Sequence, residues 1–256
     1  MNKIVCFAII ILLASCKTSL KEGTEYFTKN PFKKTARHGM ERVTKVGFKS
    51  IDQLIHSGEY VIKGGKKRFK ILNKSGDELA SVIKTSKEMR VNASWVSKGS
   101  KAHSLNALLN TKNLLPNTTY TANGAKYITD DLCRPLEASI SSFAKANRVP
   151  RNANMQRKAL YDAIGAAEAK HYQGGHMIAN SLGGISEGIN IVPQFEYVNK
   201  TTFWKVEKYV SEHRKSVKHY KVRNIYKGDS RIPYSQRITF EIRGKKHAYF
   251  IQNTQG

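Results

Sequence analysis

The chain has 256 residues, 40% of them hydrophobic, and carries 44 Lys+Arg against 19 Asp+Glu, a formal net charge of +25. The apolar fraction excludes a disordered polar chain, and the length gives room for one catalytic domain plus a smaller segment. The basic excess runs through both halves, 21 basic against 8 acidic residues up to position 110 and 23 against 11 after it; such a field draws polyanions and speeds their capture.

The first residues have the shape of an export signal: a positive "MNK", an apolar "IVCFAIIILLAS", then "LASC". The apolar run is too short and wrongly flanked for a spanning helix. Leu13-Ala14-Ser15-Cys16 resembles the lipobox of bacterial lipoproteins, which implies cleavage after residue 15 and acylation of Cys16. Several acyl chains on one residue give durable membrane anchoring. The expected location is therefore the bacterial cell envelope. With Cys6 lost and Cys16 acylated, only Cys133 remains, so no disulfide is expected within the mature chain.

Residues 16–35 are polar and basic without a sustained period, as a tether would be. The stretch "GMERVTKVGFKSIDQLIHSG" reads as an amphipathic helix ending before Gly58. From 59 to 96, short β-branched runs separated by "KGGKK" and "NKSGD" signal hairpins. Residues 36–110 are thus expected to form a small basic α+β segment.

A second unit is expected over 111–256. "NTTYTANGAKYITD" predicts two strands about Asn123-Gly124, the strongest short hairpin signal in the chain. "PLEASISSF" predicts a third strand, and "NANMQRKALYDAIGAAEA" a helix. The tail from 217 reads as strands separated by turns. Strands and helices are interleaved, so an α+β domain is expected.

Between helix and tail lies "HYQGGHMIANSLGGISEGINIVPQFEYVNKTTFWKVEKYV", residues 171–210. Two glycines before His176 suggest a sharp backbone turn that keeps side chains off one face of the imidazole. Asn190, Asn199 and Glu207 follow at intervals of nine and eight. If the segment after Pro193 is helical, 199 and 207 share roughly one face. Asn199 also suits a helix N-cap. Histidine can take a proton from water near neutral pH, and a basic protein should depress its pKa and keep it neutral. An amide oxygen can ligate a hard cation whose remaining positions go to water and phosphate. His171 and His176, five apart across glycines, lack the spacing of a helical zinc pair.

"GGHMIANSLGG", "NIVPQ", and the asparagine and glutamate that follow resemble the DNA/RNA non-specific endonucleases of the ββα-metal (His-Me finger) superfamily. The resemblance covers roughly 118–253, including "YITDDLCRP", "NMQR" and "RIP…ITFEIRG…FIQN". It implies a ββα-metal finger on a mainly antiparallel sheet flanked by helices, and hydrolysis of phosphodiester bonds in DNA and RNA with little sequence preference. It implies His176 as general base, Asn199 as ligand of Mg²⁺ or Mn²⁺, Glu207 supporting the metal-bound water, and Asn190 bracing the loop. Many relatives carry Asp-Arg-Gly-His, with the arginine on phosphate; here Gln173-Gly174-Gly175-His176 stands instead. The phosphate-binding cation must come from elsewhere, with Arg134, Arg151 and Arg157 the nearest in sequence. Two other readings fit the composition. One is a non-catalytic basic lipoprotein that binds nucleic acid or other polyanions at the envelope. The other keeps the chemistry as a toxin with an immunity or inhibitor protein for partner.

Overall fold

A computed structural model describes residues 59–63, 66–72, 78–84, 89–93, 97–98, 102–103, 106–143 and 148–255. The signal, Cys16, the tether and the helix expected over 39–58 lie outside them.

Among the described residues, ten strands form one sheet and two helices with a short hairpin pack beside it. The first four strands are β1 (Glu59–Lys63), β2 (Lys66–Leu72), β3 (Glu78–Lys84) and β4 (Met89–Ala93). They form an antiparallel meander. The two-residue strands β5 (Ser97–Lys98) and β6 (Ala102–His103) pair with each other.

β7 (Thr118–Ala122), β8 (Ala125–Thr129) and β9 (Pro135–Ser142) continue the sheet. Asn123 and Gly124, with φ of 47° and 76°, make the tight turn joining β7 and β8. Both central residues need positive φ there, which Asn and Gly supply at least cost. β4 joins β7 in parallel, Met89 opposite Thr118 and Asn92 opposite Thr121. The basic segment therefore shares its sheet with the region after residue 110.

Helix α1 (Ala153–Glu168) is capped by Asn152, whose side chain accepts from the Met155 N–H at 3.1 Å. It buries Met155, Gln156, Ala159 and Leu160. β10 (Gln173–His176) and β11 (Ile191–Gln194) then form an antiparallel hairpin. A π-helical turn over Val198–Phe203 runs into α2 (Trp204–Glu212), which buries Val206 and Val210. β12 (Val217–Ile225), β13 (Ser235–Ile242) and β14 (Lys245–Gln252) complete the sheet, β12 pairing with β9.

Alternation explains the layering: β7 and β8 bury every second residue, as a sheet with one covered face requires. Tyr120, Tyr127, Tyr220, Phe143 and Phe203 are the bulkiest side chains of the core, and Met177, Ile178 and Leu182 from the loop after β10 join them. The β10–β11–helix unit thus packs its core residues against the sheet.

Candidate active site

That unit is the ββα finger expected from the resemblance. His176 ends β10, opposite Ile191 of β11. The glycine pair before it makes no turn, because both residues lie in the extended strand and neither has a positive φ. They are required by close approach on both sides. A Cβ on Gly174 would stand 2.8 Å from the Gln156 carbonyl of α1. A Cβ on Gly175 would stand 1.8 Å from Gln194 Oε1. Gln194 is buried in a chain of amides: it donates to Gln236 Oε1, Gln236 donates to Asn224 Oδ1 at 2.8 Å, and Asn224 donates to the Pro135 carbonyl at 2.6 Å.

His176 is half-buried, and its Nε2 is buried without a hydrogen-bond partner among the described residues. Burial first, and then the Arg151 guanidinium, push its pKa down from the usual range to about 3. The ring is neutral at physiological pH, as a base must be.

Asn199 lies inside the π-helical turn, with Tyr197 as the cap, so it caps no helix. Its Nδ2 donates to Gln173 Oε1 at 2.8 Å, tying the helix to the first residue of β10 and leaving Oδ1 as an acceptor. In an α-helix eight residues overshoot two turns by roughly 80°. The wider π turn holds more residues per turn, which brings 199 and 207 closer to one face. Glu207 is half-buried; burial pushes its carboxyl up to about 8 against the opposing pull of Arg151. The same guanidinium therefore acts on both His176 and Glu207.

Asn190 is fully buried. Its Oδ1 accepts from the Ile178 N–H at 2.9 Å, and its Nδ2 donates to the Ile178 and Ile185 carbonyls at 2.9 and 2.8 Å. Its side chain is spent on bracing the loop behind His176, the role that the resemblance implies for it.

The three arginines separate. Arg134 is 8% exposed. Its Nε donates to Asp130 at 2.6 Å, its Nη1 donates to the Gly228 and Ser230 carbonyls, and its guanidinium lies over Tyr226. It fastens the β8–β9 turn to the loop after β12 and has no place on substrate. This corrects its selection as a phosphate ligand. Arg151 and Arg157 are exposed and line one cleft of about 490 Å³ with Gln156, Tyr161, Tyr172 and Lys200. His171 is exposed on the helical turn after α1.

Sequence reasoning passed over Gln156 and Gln173. "NMQR" contributed to the resemblance, yet nothing in its spacing shows that Gln156 reaches His176 across twenty residues. Among the described residues, no cluster of three or more His, Cys, Asp or Glu could hold a metal ion. Oxygen donors at this site come from Asn199 and Glu207.

Residues 116–244 match the model of the DNA/RNA non-specific endonuclease family. Among solved structures the chain is similar to one described as Sda1 nuclease with bound zinc ion, at 19% identity and a TM-score of 0.31. That match covers 33% of this chain and 39% of the other, well under two thirds of its length. No curated protein matches the chain.

Proposed function

The chain belongs to the DNA/RNA non-specific endonuclease family and is a nuclease, and from that premise we propose that it hydrolyses DNA and RNA with His176 as general base and a divalent cation at Asn199. One observation carries the reading: a neutral histidine on one side, and an amide oxygen with a carboxyl on the other, lie on one hairpin–helix unit around a shared guanidinium.

The residues fit a hard cation. Asn199 offers a neutral oxygen held in place by Gln173, and Glu207 is a desolvated carboxyl that a nearby positive charge would restore to its ionised form. Mg²⁺ or Mn²⁺ there supplies charge neutralisation at the phosphoryl and leaving oxygens. The protein does the rest. His176 accepts the proton of the attacking water, a contribution of roughly 10²–10⁴ in rate. Arg151, exposed beside both groups, is the cation best placed for the scissile phosphate. Arg157 and Lys200 extend positive charge along the cleft, where backbone contacts attract strands of any sequence.

Cleavage of plasmid DNA and of RNA by the full chain, with Mg²⁺ or with EDTA, tests this. Both polymers should be cut with Mg²⁺ alone, and His176→Ala should slow cutting by about 10²-fold or more with binding kept. Equal rates for parent and variant would remove His176 from the mechanism. The lipobox-like Leu13–Cys16 stretch supports anchoring of this enzyme at the cell envelope. Cys16→Ser should then release it from membranes washed in high salt, and retention would refute the anchor.

A further inference from the structure

The cleft beside the site holds aromatic rings as well as cations. One wall is α1 and the other is the segment from Ala169 to Gly174. Gly165, with a φ of 79°, breaks α1 near its end and lets the chain turn towards that second wall. Each wall contributes a tyrosine. Tyr161 follows Arg157 by four residues, so both side chains share one face of the helix, and Tyr161 is 45% exposed. Tyr172 lines the other wall, half-buried, with Phe195 behind its ring at 4.5 Å between centroids. Lys200 adds a second cation beside Arg157, sharing its charge with Glu196.

Single exposed rings are ordinary on a protein surface. A groove that only follows phosphates needs cations and no rings. Two rings on opposite walls of a cationic cleft match a nucleotide instead, because every base has a π-face that stacks on tyrosine whatever its identity. The volume of about 490 Å³ lies within the range of small-ligand pockets, about 300–1,000 Å³. The cleft also adjoins the reacting groups: Gln156 and Gln173 line it, and they touch His176 and Asn199 respectively. We infer that this cleft is a subsite for one unpaired nucleobase, stacked on Tyr161 and Tyr172 while Arg157 meets its phosphate, so that single strands gain a contact that a duplex cannot make. This rests on the reading of the neighbouring site as the place where the strand is cut. In a duplex every base is already paired and stacked, and none reaches the cleft without leaving the helix.

Binding separates this subsite from general attraction by charge. Fluorescence anisotropy with the full chain in EDTA compares three DNA probes of equal length: a single strand, its duplex, and a strand of abasic residues that keeps the phosphates and lacks the bases. Tyr161→Leu should bind the single strand roughly 5- to 100-fold more weakly than the parent. Tyr161→Phe keeps the ring and should bind as the parent does. Duplex affinity should move by less than about twofold in both variants, since charge carries it. The parent should bind the abasic strand no better than Tyr161→Leu does. Equal affinity of the parent for the ordinary and the abasic strand would overturn the inference, whatever the variants do. So would an equal loss on single strand and duplex in Tyr161→Leu, which would mark a contact with the phosphate backbone alone. Undiminished cutting by His176→Ala would instead strike the assignment of the proton acceptor and leave the binding result standing.

Discussion

Replacing Gly175 by alanine tests why the glycine pair is there. The added methyl would lie 1.8 Å from Gln194 Oε1 and 2.2 Å from its Cδ, distances at which Gln194 has to leave its place. Gln194 is fully buried, and moving it breaks its hydrogen bond to Gln236. Two buried polar groups would lose their partner, at about 1–3 kcal/mol each, and overpacking adds about 1–3 kcal/mol. A loss of about 3–9 kcal/mol is expected, a large part of a typical total of about 5–15 kcal/mol. Gly124→Ala is the control: its φ is +76° and nothing lies within 4 Å of the new methyl, so only the left-handed backbone costs, about 1–2 kcal/mol. Urea unfolding at 25 °C of the parent and both variants gives the comparison. If Gly175→Ala unfolds at or above the midpoint of Gly124→Ala, close approach is not what demands glycine at 175.

Asn199→Ala should nearly abolish cleavage at any Mg²⁺ concentration while DNA retention on a gel persists; normal cutting at low Mg²⁺ would refute the ligand assignment. Glu207, pushed up to about 8, holds its proton at pH 7 in the cation-free protein. Binding of Mg²⁺ should therefore release a proton at pH 7, read by calorimetry in two buffers of different ionisation enthalpy. The same shift has a stability sign. A carboxyl whose folded pKa is raised stabilises below its unfolded pKa near 4.5, and that contribution is lost as pH rises through about 8. In EDTA the melting temperature of the parent should fall between pH 5 and 8 more than that of Glu207→Gln, and equal slopes would refute the shift. His176, lowered to about 3, acts in the opposite sense, its contribution being lost as pH falls from 6.5 towards 3. Arg134→Ala should lower stability by about 3–5 kcal/mol by leaving Asp130 buried and unpaired. Arg157→Ala should leave stability unchanged and raise KM for DNA; the reverse pattern would restore Arg134 to the substrate side.

The hairpin at Asn123-Gly124, helix α1 and the strands of the tail from 217 were legible in the sequence because each depends on neighbours a few residues away. The site was legible as a spacing of His176, Asn190, Asn199 and Glu207. What the spacing hides is set at long range. Arg134 meets carbonyls at 228 and 230, and no local pattern marks an arginine as structural when its partners lie more than ninety residues on. The glycine pair invited a turn because glycine permits one. The partners that exclude side chains at 174 and 175 come from α1 and from Gln194, and only the folded chain brings them there. The cap reading of Asn199 assumed a helix beginning at that residue, whereas the backbone winds as a π turn from Val198. The parallel pairing of β4 with β7 likewise depends on how the connection between them crosses the sheet.

That parallel seam bears on self-association. β4 covers one flank of β7, and β14 covers the flank of β13. A protein trimmed to the family-matched span 116–244 would lose both coverings. The N–H and C=O groups along Thr118–Ala122 at one end, and along Ser235–Ile242 at the other, would then face solvent unpaired. Two bare strand edges on one molecule are templates for a second copy at each side, which is the geometry of open-ended strand addition and precipitation. In the full chain the edges of the sheet are instead β1 and β14, so the strands outside the matched span move the open edges away from β7 and β13.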